Sequence, residues 1–153
     1  MKNTVIKFGV YGFVFALLVF LSGLYFGQDV DYSWGEVIGY ATMIASLSFV
    51  YFGIKHFRDK ENGGTITFTK AVVIGLLISL FTAAGIALAD FIYTTLINPD
   101  FFKEYTAVMR QEGYKGEIPD YGSGFMAMIM FLTVMIIGLI ISLLSALILQ
   151  NKN

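Results

Sequence analysis

Apolar and polar positions are not interleaved along this chain; they come in blocks. Residues 8–28, 37–54, 71–89 and 121–151 contain no Asp, Glu, Lys or Arg. Each block is apolar on every face rather than along one stripe. Each reaches the roughly 18–20 residues that a helix needs to cross about 30 Å of hydrocarbon. Four soluble helices of that kind would need a polar covering that the rest of the chain cannot supply. The pattern predicts an all-α integral membrane protein with four transmembrane helices, at about residues 8–26, 35–57, 70–92 and 125–149. Only turns and one longer loop remain, so residues 1–153 are expected to form a single transmembrane domain.

The longer loop, 98–124, has a different period. Phe101, Phe102, Tyr105, Val108 and Met109 fall on one helical face, and Asp100, Lys103, Glu104, Arg110 and Gln111 fall on the other. Asn98 can cap such a helix, Pro99 suits its first position and Gly113 can stop it. The spacing predicts an amphipathic helix over 99–112, too short and too charged to span, lying at the membrane interface.

Composition agrees with the pattern. The chain is 57% hydrophobic and only 14% charged, with mean hydropathy +0.74, against about a quarter charged in soluble domains. Its net charge of −1 gives nucleic acid nothing to bind, and without cysteine it can form neither disulfides nor thiolate metal sites. The start, MKNTVIK before an apolar run, imitates a signal peptide. It lacks a small-x-small cleavage site, and bulky Leu24, Tyr25 and Phe26 stand where one would be needed. It is read as a retained first span.

Charge placement orients the bundle. The loop 55–70, KHFRDKENGGTITFTK, carries Lys55, Arg58, Lys60 and Lys70 between two apolar blocks. Basic residues in short loops stay on the cytoplasmic side. With both termini cytoplasmic, Lys2, Lys7, the four loop cations and Lys152 lie inside, leaving Lys103, Arg110 and Lys115 outside. Gly63-Gly64 breaks helix within the loop, and Thr67 or Thr69 can cap span three. On the other side, 28–34 (QDVDYSW) carries Asp29 and Asp31, with Tyr32 and Trp34 suited to the headgroup zone. Lys7 and Lys70 each stand five residues before a glycine, Gly12 and Gly75, which would fit a faint parallel repeat of two hairpins.

Candidate chemistry is sparse. Small residues recur at four-residue spacing in Gly23/Gly27, Gly35/Gly39, Gly75/Ser79/Ala83 and Gly138/Ser142/Ala146. In lipid such stripes permit close backbone approach, and the two triplets are expected to make helix contacts within the bundle. Asp90 follows a long uncharged run. It is expected near the outer headgroups as a solvated helix-end carboxylate; its functional reading is a polar site at the outer mouth with Glu36 and Tyr40. Glu36 suits a helix's first turn electrostatically. His56, the lone histidine, is expected to be an interfacial polar residue rather than a zinc ligand. Ser46, Ser48, Ser79, Thr82, Thr133 and Ser142 have no accompanying His or Lys at depth, so no nucleophile–base pair can be built. No enzyme, cofactor or metal site is expected.

The stretch GEVIGYATMIASLSFVYFGIKHFRDKENGGTITFTKAVVIG resembles the centre of a membrane-protein family known as domain of unknown function four-one-nine-nine. The resemblance rests on Gly35-Glu36, Gly39-Tyr40, Met43, Gly53-Ile54, Arg58-Asp59, Gly64, Phe68 and Gly75. It implies a small bacterial cytoplasmic-membrane protein, mostly of the Bacteroidetes lineage, and supplies no activity or substrate. From the residues themselves, Gly39 and Gly53 would let span two approach a neighbour, and Gly64 would bend the chain toward span three. Two functions follow as expectations. One is a non-enzymatic membrane module whose partners are the lipid bilayer and other membrane proteins or itself. The alternative is a small-solute or ion transporter or channel, functioning as an oligomer.

Overall fold

The computed structural model describes residues 1–27 and 31–151. Gln28, Asp29 and Val30 of the expected outer turn, and Lys152 and Asn153, lie outside the described residues. Among the described residues five α-helices follow one another: α1 (Lys2–Phe26), α2 (Tyr32–His56), α3 (Phe68–Ile92), α4 (Phe101–Gln111) and α5 (Gly122–Leu149). There is no strand among the described residues. The continuous helical stretches Lys2–Phe26, Trp34–Glu61, Phe68–Ile97 and Gly122–Leu149 are long and apolar enough to cross a membrane.

The helices overrun the expected spans because hydrogen bonding, not hydropathy, sets their ends. α1 begins at Lys2, so Lys7 sits inside the helix rather than before it. α2 continues into a wide turn over Phe57–Glu61, and α3 into another over Tyr93–Ile97. The second turn closes with Asn98 N–H on the Tyr93 carbonyl at 2.7 Å. That bond commits Asn98 to the end of the third stretch, so α4 starts at Phe101 with Asp100 as its cap, later than the expected 99. The Asn98 amide instead donates to Glu104 at 2.9 Å. Gly113, at φ +91, ends α4 as its flexibility allows. Thr67 is the cap of α3, its hydroxyl oxygen accepting from Lys70 N–H at 3.4 Å. Gly63 and Gly64, both at positive φ, form the turn before it.

α3 is the hub, packed against α1, α2 and α5, while α2 also touches α1 and α5. α1 and α5 therefore occupy opposite flanks of a bundle whose middle is the α2–α3 pair. Leu47, Val50, Ile54, Ile74, Ile78, Ile86 and Val134 fill its centre and are fully buried. Large apolar side chains such as Leu18, Ile44, Ile136 and Ile148 stand exposed on its surface. Apolar side chains thus cover the outside as well as fill the inside, which suits a bundle solvated by lipid.

One end of the bundle gathers the start of α1 and the end of α5 around the basic loop. Thr4 donates its hydroxyl to Glu61, whose other oxygen holds the Met1 ammonium at 2.6 Å. Ile66 N–H donates to the Asn151 side-chain oxygen at 2.8 Å, and Asn151 N–H returns a bond to the Ile66 carbonyl at 3.2 Å. Arg58 reaches the Leu149 carbonyl at 3.4 Å. The loop thus straps α1 and α5 to the α2–α3 hairpin. Asn151→Ala leaves a half-buried Ile66 N–H unpaired, an expected loss of about 1 kcal/mol. It should also speed hydrogen exchange at Ile66, and exchange as slow as in the wild type would contradict the strap.

Candidate functional site

The best-defined constellation is the seam between α3 and α5. A Cβ built on Gly75 would collide with Ser142, coming within 2.7 Å of its Cβ. One built on Gly138 would come within 2.6 Å of the Ser79 Cβ. Each serine therefore seats over the opposite helix's glycine, and the two helices lock reciprocally. Their hydroxyls turn back into their own helices: Ser79 donates to the Gly75 carbonyl at 2.9 Å and Ser142 to the Gly138 carbonyl at 2.6 Å. Ala83 and Ala146 are fully buried on the same faces. In the pairs 75 with 142, 79 with 138, 94 with 123 and 66 with 151, the two residue numbers add to one constant value. Contact therefore runs in a single antiparallel register from end to end.

Glycines outside the expected stripes bring the other helices in. The Gly85 Cβ would lie 2.5 Å from the Phe13 carbonyl oxygen, so α1 and α3 meet backbone to backbone there. Gly9 receives the Phe81 ring and Gly12 the Thr82 side chain. Along this contact residue numbers rise together on both helices, so α1 and α3 run parallel. Gly53 makes room for Ile78 and Phe8, as expected for span two. Gly39 does not: open space surrounds it, as it does Gly23 and Gly35, and the only atoms near Gly27 belong to Gly23 of its own helix. Those two pairs make no helix contact, because α2 is exposed over 34–38 and, from Trp34 onward, first buries a side chain at Thr42. Repetition at spacing four finds the α3–α5 seam but misses single glycines such as Gly85, whose partner is backbone and leaves no sequence signature.

Polar side chains at depth serve the same purpose. Thr82 donates to the Ile78 carbonyl, Ser46 to Thr42 and Thr133 to Ile129, each one turn back in its own helix. Ser48 donates to the Ala45 carbonyl. These hydroxyls are satisfied, and none is paired with a base.

Asp90 departs from the expected solvated carboxylate. It is half-buried, and its Oδ2 is buried with no hydrogen-bond partner. The reason is that α3 does not end beside it: helical backbone continues to Ile97, about 10 Å further along. Ala89, Tyr93 and Thr94 around it on the helix are buried. Glu36 and Tyr40 are exposed on α2, and no hydrogen bond or ion pair joins either to Asp90 among the described residues. His56 is half-buried with its ring 5.3 Å from the Phe8 ring. No group of His, Cys, Asp and Glu able to hold a metal ion occurs among the described residues. In the loop beyond α3, Asp100 accepts from Lys103 at 2.7 Å and keeps that ammonium above its usual range.

Comparison with known proteins adds one finding. No curated protein and no solved structure matches the chain. A family model covers residues 7–151, so the match takes in α1 from Lys7 onward, the other three long helices, the basic loop and the α3–α5 seam. On that match the chain belongs to the family described as protein of unknown function (DUF4199).

Proposed function

We propose that this protein is a non-enzymatic module of the cytoplasmic membrane, a multi-pass bundle that acts as a partner for other membrane proteins or for copies of itself. Both termini and the loop 55–70 face the cytoplasm, and α4 lies in the outer loop with its apolar face toward the interface. The observation that carries the module reading is the filling of the bundle's middle. Fully buried aliphatic side chains and a Gly–Ser seam occupy it, and its hydroxyls are used up by their own helices. Nucleophilic catalysis needs a hydroxyl beside a general base, and each seam serine gives its proton to a carbonyl of its own helix instead. The orientation draws its support from charge: among the described residues, Lys2, Lys7, Lys55, Arg58, Lys60 and Lys70 lie at the end that holds the basic loop, and Lys103, Arg110 and Lys115 lie in the segment between α3 and α5.

One observation favours the second reading, a small-solute or ion transporter or channel. The unpartnered Asp90 oxygen is the kind of intramembrane polar atom that lines ion paths. A flux assay separates the two. Purified protein in liposomes carrying proton- and potassium-sensitive dyes should leak no faster than empty liposomes, and cross-linking in cells should trap a discrete oligomer or one stoichiometric membrane partner. Flux above background that disappears in Asp90→Asn would replace the module reading with transport.

A further inference from the structure

The basic end of the bundle carries a groove that neither the seam nor the strap uses. It is an open cleft of about 330 Å³ lined by Phe8, Phe52, Lys55, His56, Asp59 and Lys60. Five of these residues come from α2 and its extension, at positions 52, 55, 56, 59 and 60. That is the i, i+3, i+4, i+7, i+8 spacing of one helical face. Phe8 closes the cleft from α1, and it can approach because Gly53 has no side chain: a Cβ there would stand 3.2 Å from the Phe8 Cβ. Lys7 hangs over the same ring, its Nζ 5.6 Å from the centroid.

Charge in the cleft is unbalanced. Among the described residues Lys7, Lys55 and Lys60 form no ion pair, and the one carboxylate present, Asp59, is held by Arg58 Nε at 2.6 Å. Phe52 is 52% exposed although it precedes Lys55 by only one turn, so the cleft passes from apolar to cationic within about 5 Å. Beneath it the crease between α1 and α2 continues as an aromatic ladder. Phe8 and Tyr11 rings lie 6.0 Å apart, Tyr11 and Phe49 6.3 Å, and Phe49 and Phe15 5.6 Å.

We propose that this groove binds one anionic phospholipid of the leaflet at the basic end. The phosphate lies between Lys55 and Lys60, with Lys7 at the lip, and an acyl chain follows the aromatic crease past Phe8 and Phe52. Basic pockets between membrane helices at the headgroup level recognise anionic lipids in this way. A zwitterionic headgroup would bring its ammonium against two lysines with only an engaged carboxylate to receive it. A soluble phosphate would leave the apolar half of the cleft unused. The inference holds for either orientation of the bundle, so it stands or falls apart from the function proposed above.

Native mass spectrometry in mild detergent tests it, with dioleoyl phosphatidylglycerol and dioleoyl phosphatidylcholine as probes. One phosphatidylglycerol per chain should be retained in preference to phosphatidylcholine. Lys55→Gln with Lys60→Gln should weaken retention roughly ten- to thirtyfold, and Phe52→Ala should weaken it several-fold. Lys103→Gln with Lys115→Gln, the same charge change in the loop between α3 and α5, should leave retention unchanged. All these positions are exposed, and unchanged melting without added lipid establishes that the variants fold. The proposal is overturned by equal retention of the two lipids, or by equal loss in the Lys103/Lys115 variant. Displacement of phosphatidylglycerol by millimolar inorganic phosphate would overturn it as well, showing a simple anion site.

Discussion

Gly75→Leu and Gly138→Leu should each lower the stability of the bundle in detergent by about 1–3 kcal/mol, through overpacking of a seam with no slack. The cause is specific. In each case the new side chain meets a serine Cβ on the facing helix at less than van der Waals distance. Gly39→Leu makes the same chemical change where nothing lies within 4 Å, and it should cost little or nothing. Because knob and hole face each other across the seam, an exchange is sharper still. Gly75→Ser alone should destabilise, and adding Ser142→Gly should restore most of the loss, since total volume is conserved. Gly85→Leu should resist any such rescue. It is opposed by the Phe13 carbonyl, which no substitution removes, so its loss should be at least as large as that of Gly75→Leu. Equal melting of Gly39→Leu and Gly75→Leu, or no recovery in the exchanged pair, would remove the seam from the account.

How much of this was legible in the sequence follows from what each feature depends on. The four long apolar helices are written in hydropathy alone, because a bilayer imposes one length and one polarity on whatever crosses it. The α3–α5 seam is legible because both stripes repeat at helical spacing and both partners lie on regular helices. Gly23/Gly27 and Gly35/Gly39 carry the same spacing yet face open space, since spacing cannot say whether a neighbour is there. The strap from Ile66 to Asn151 joins positions 85 apart in sequence through a backbone N–H, and the residue types involved give no hint of it. The charge-free run before Asp90 puts it at the headgroups only if helix and hydrophobic run end together. The wide turn over Tyr93–Ile97 carries the helix further and leaves the carboxylate half-buried. The cationic groove was half legible: its lysines are plain in the loop, but Phe8 arrives from another helix by way of Gly53.

One loop serves packing and, in the proposed orientation, topology as well. Its cations lie in a short loop of the kind that sets orientation, and Glu61, Arg58 and Ile66 hold α1 and α5 at the same end. A bundle inserted the other way round would carry the same strap, so stability measurements cannot report on orientation. Accessibility can, and the chain's lack of cysteine makes it direct. Thr65→Cys in the basic loop and Glu117→Cys beyond α4 both substitute exposed residues. In intact cells a membrane-impermeant maleimide should label Cys at 117 strongly and Cys at 65 only after lysis, as both termini cytoplasmic and an outer α4 require. Labelling at 65 but not 117 in intact cells would contradict the orientation, and labelling at both would contradict a four-span bundle.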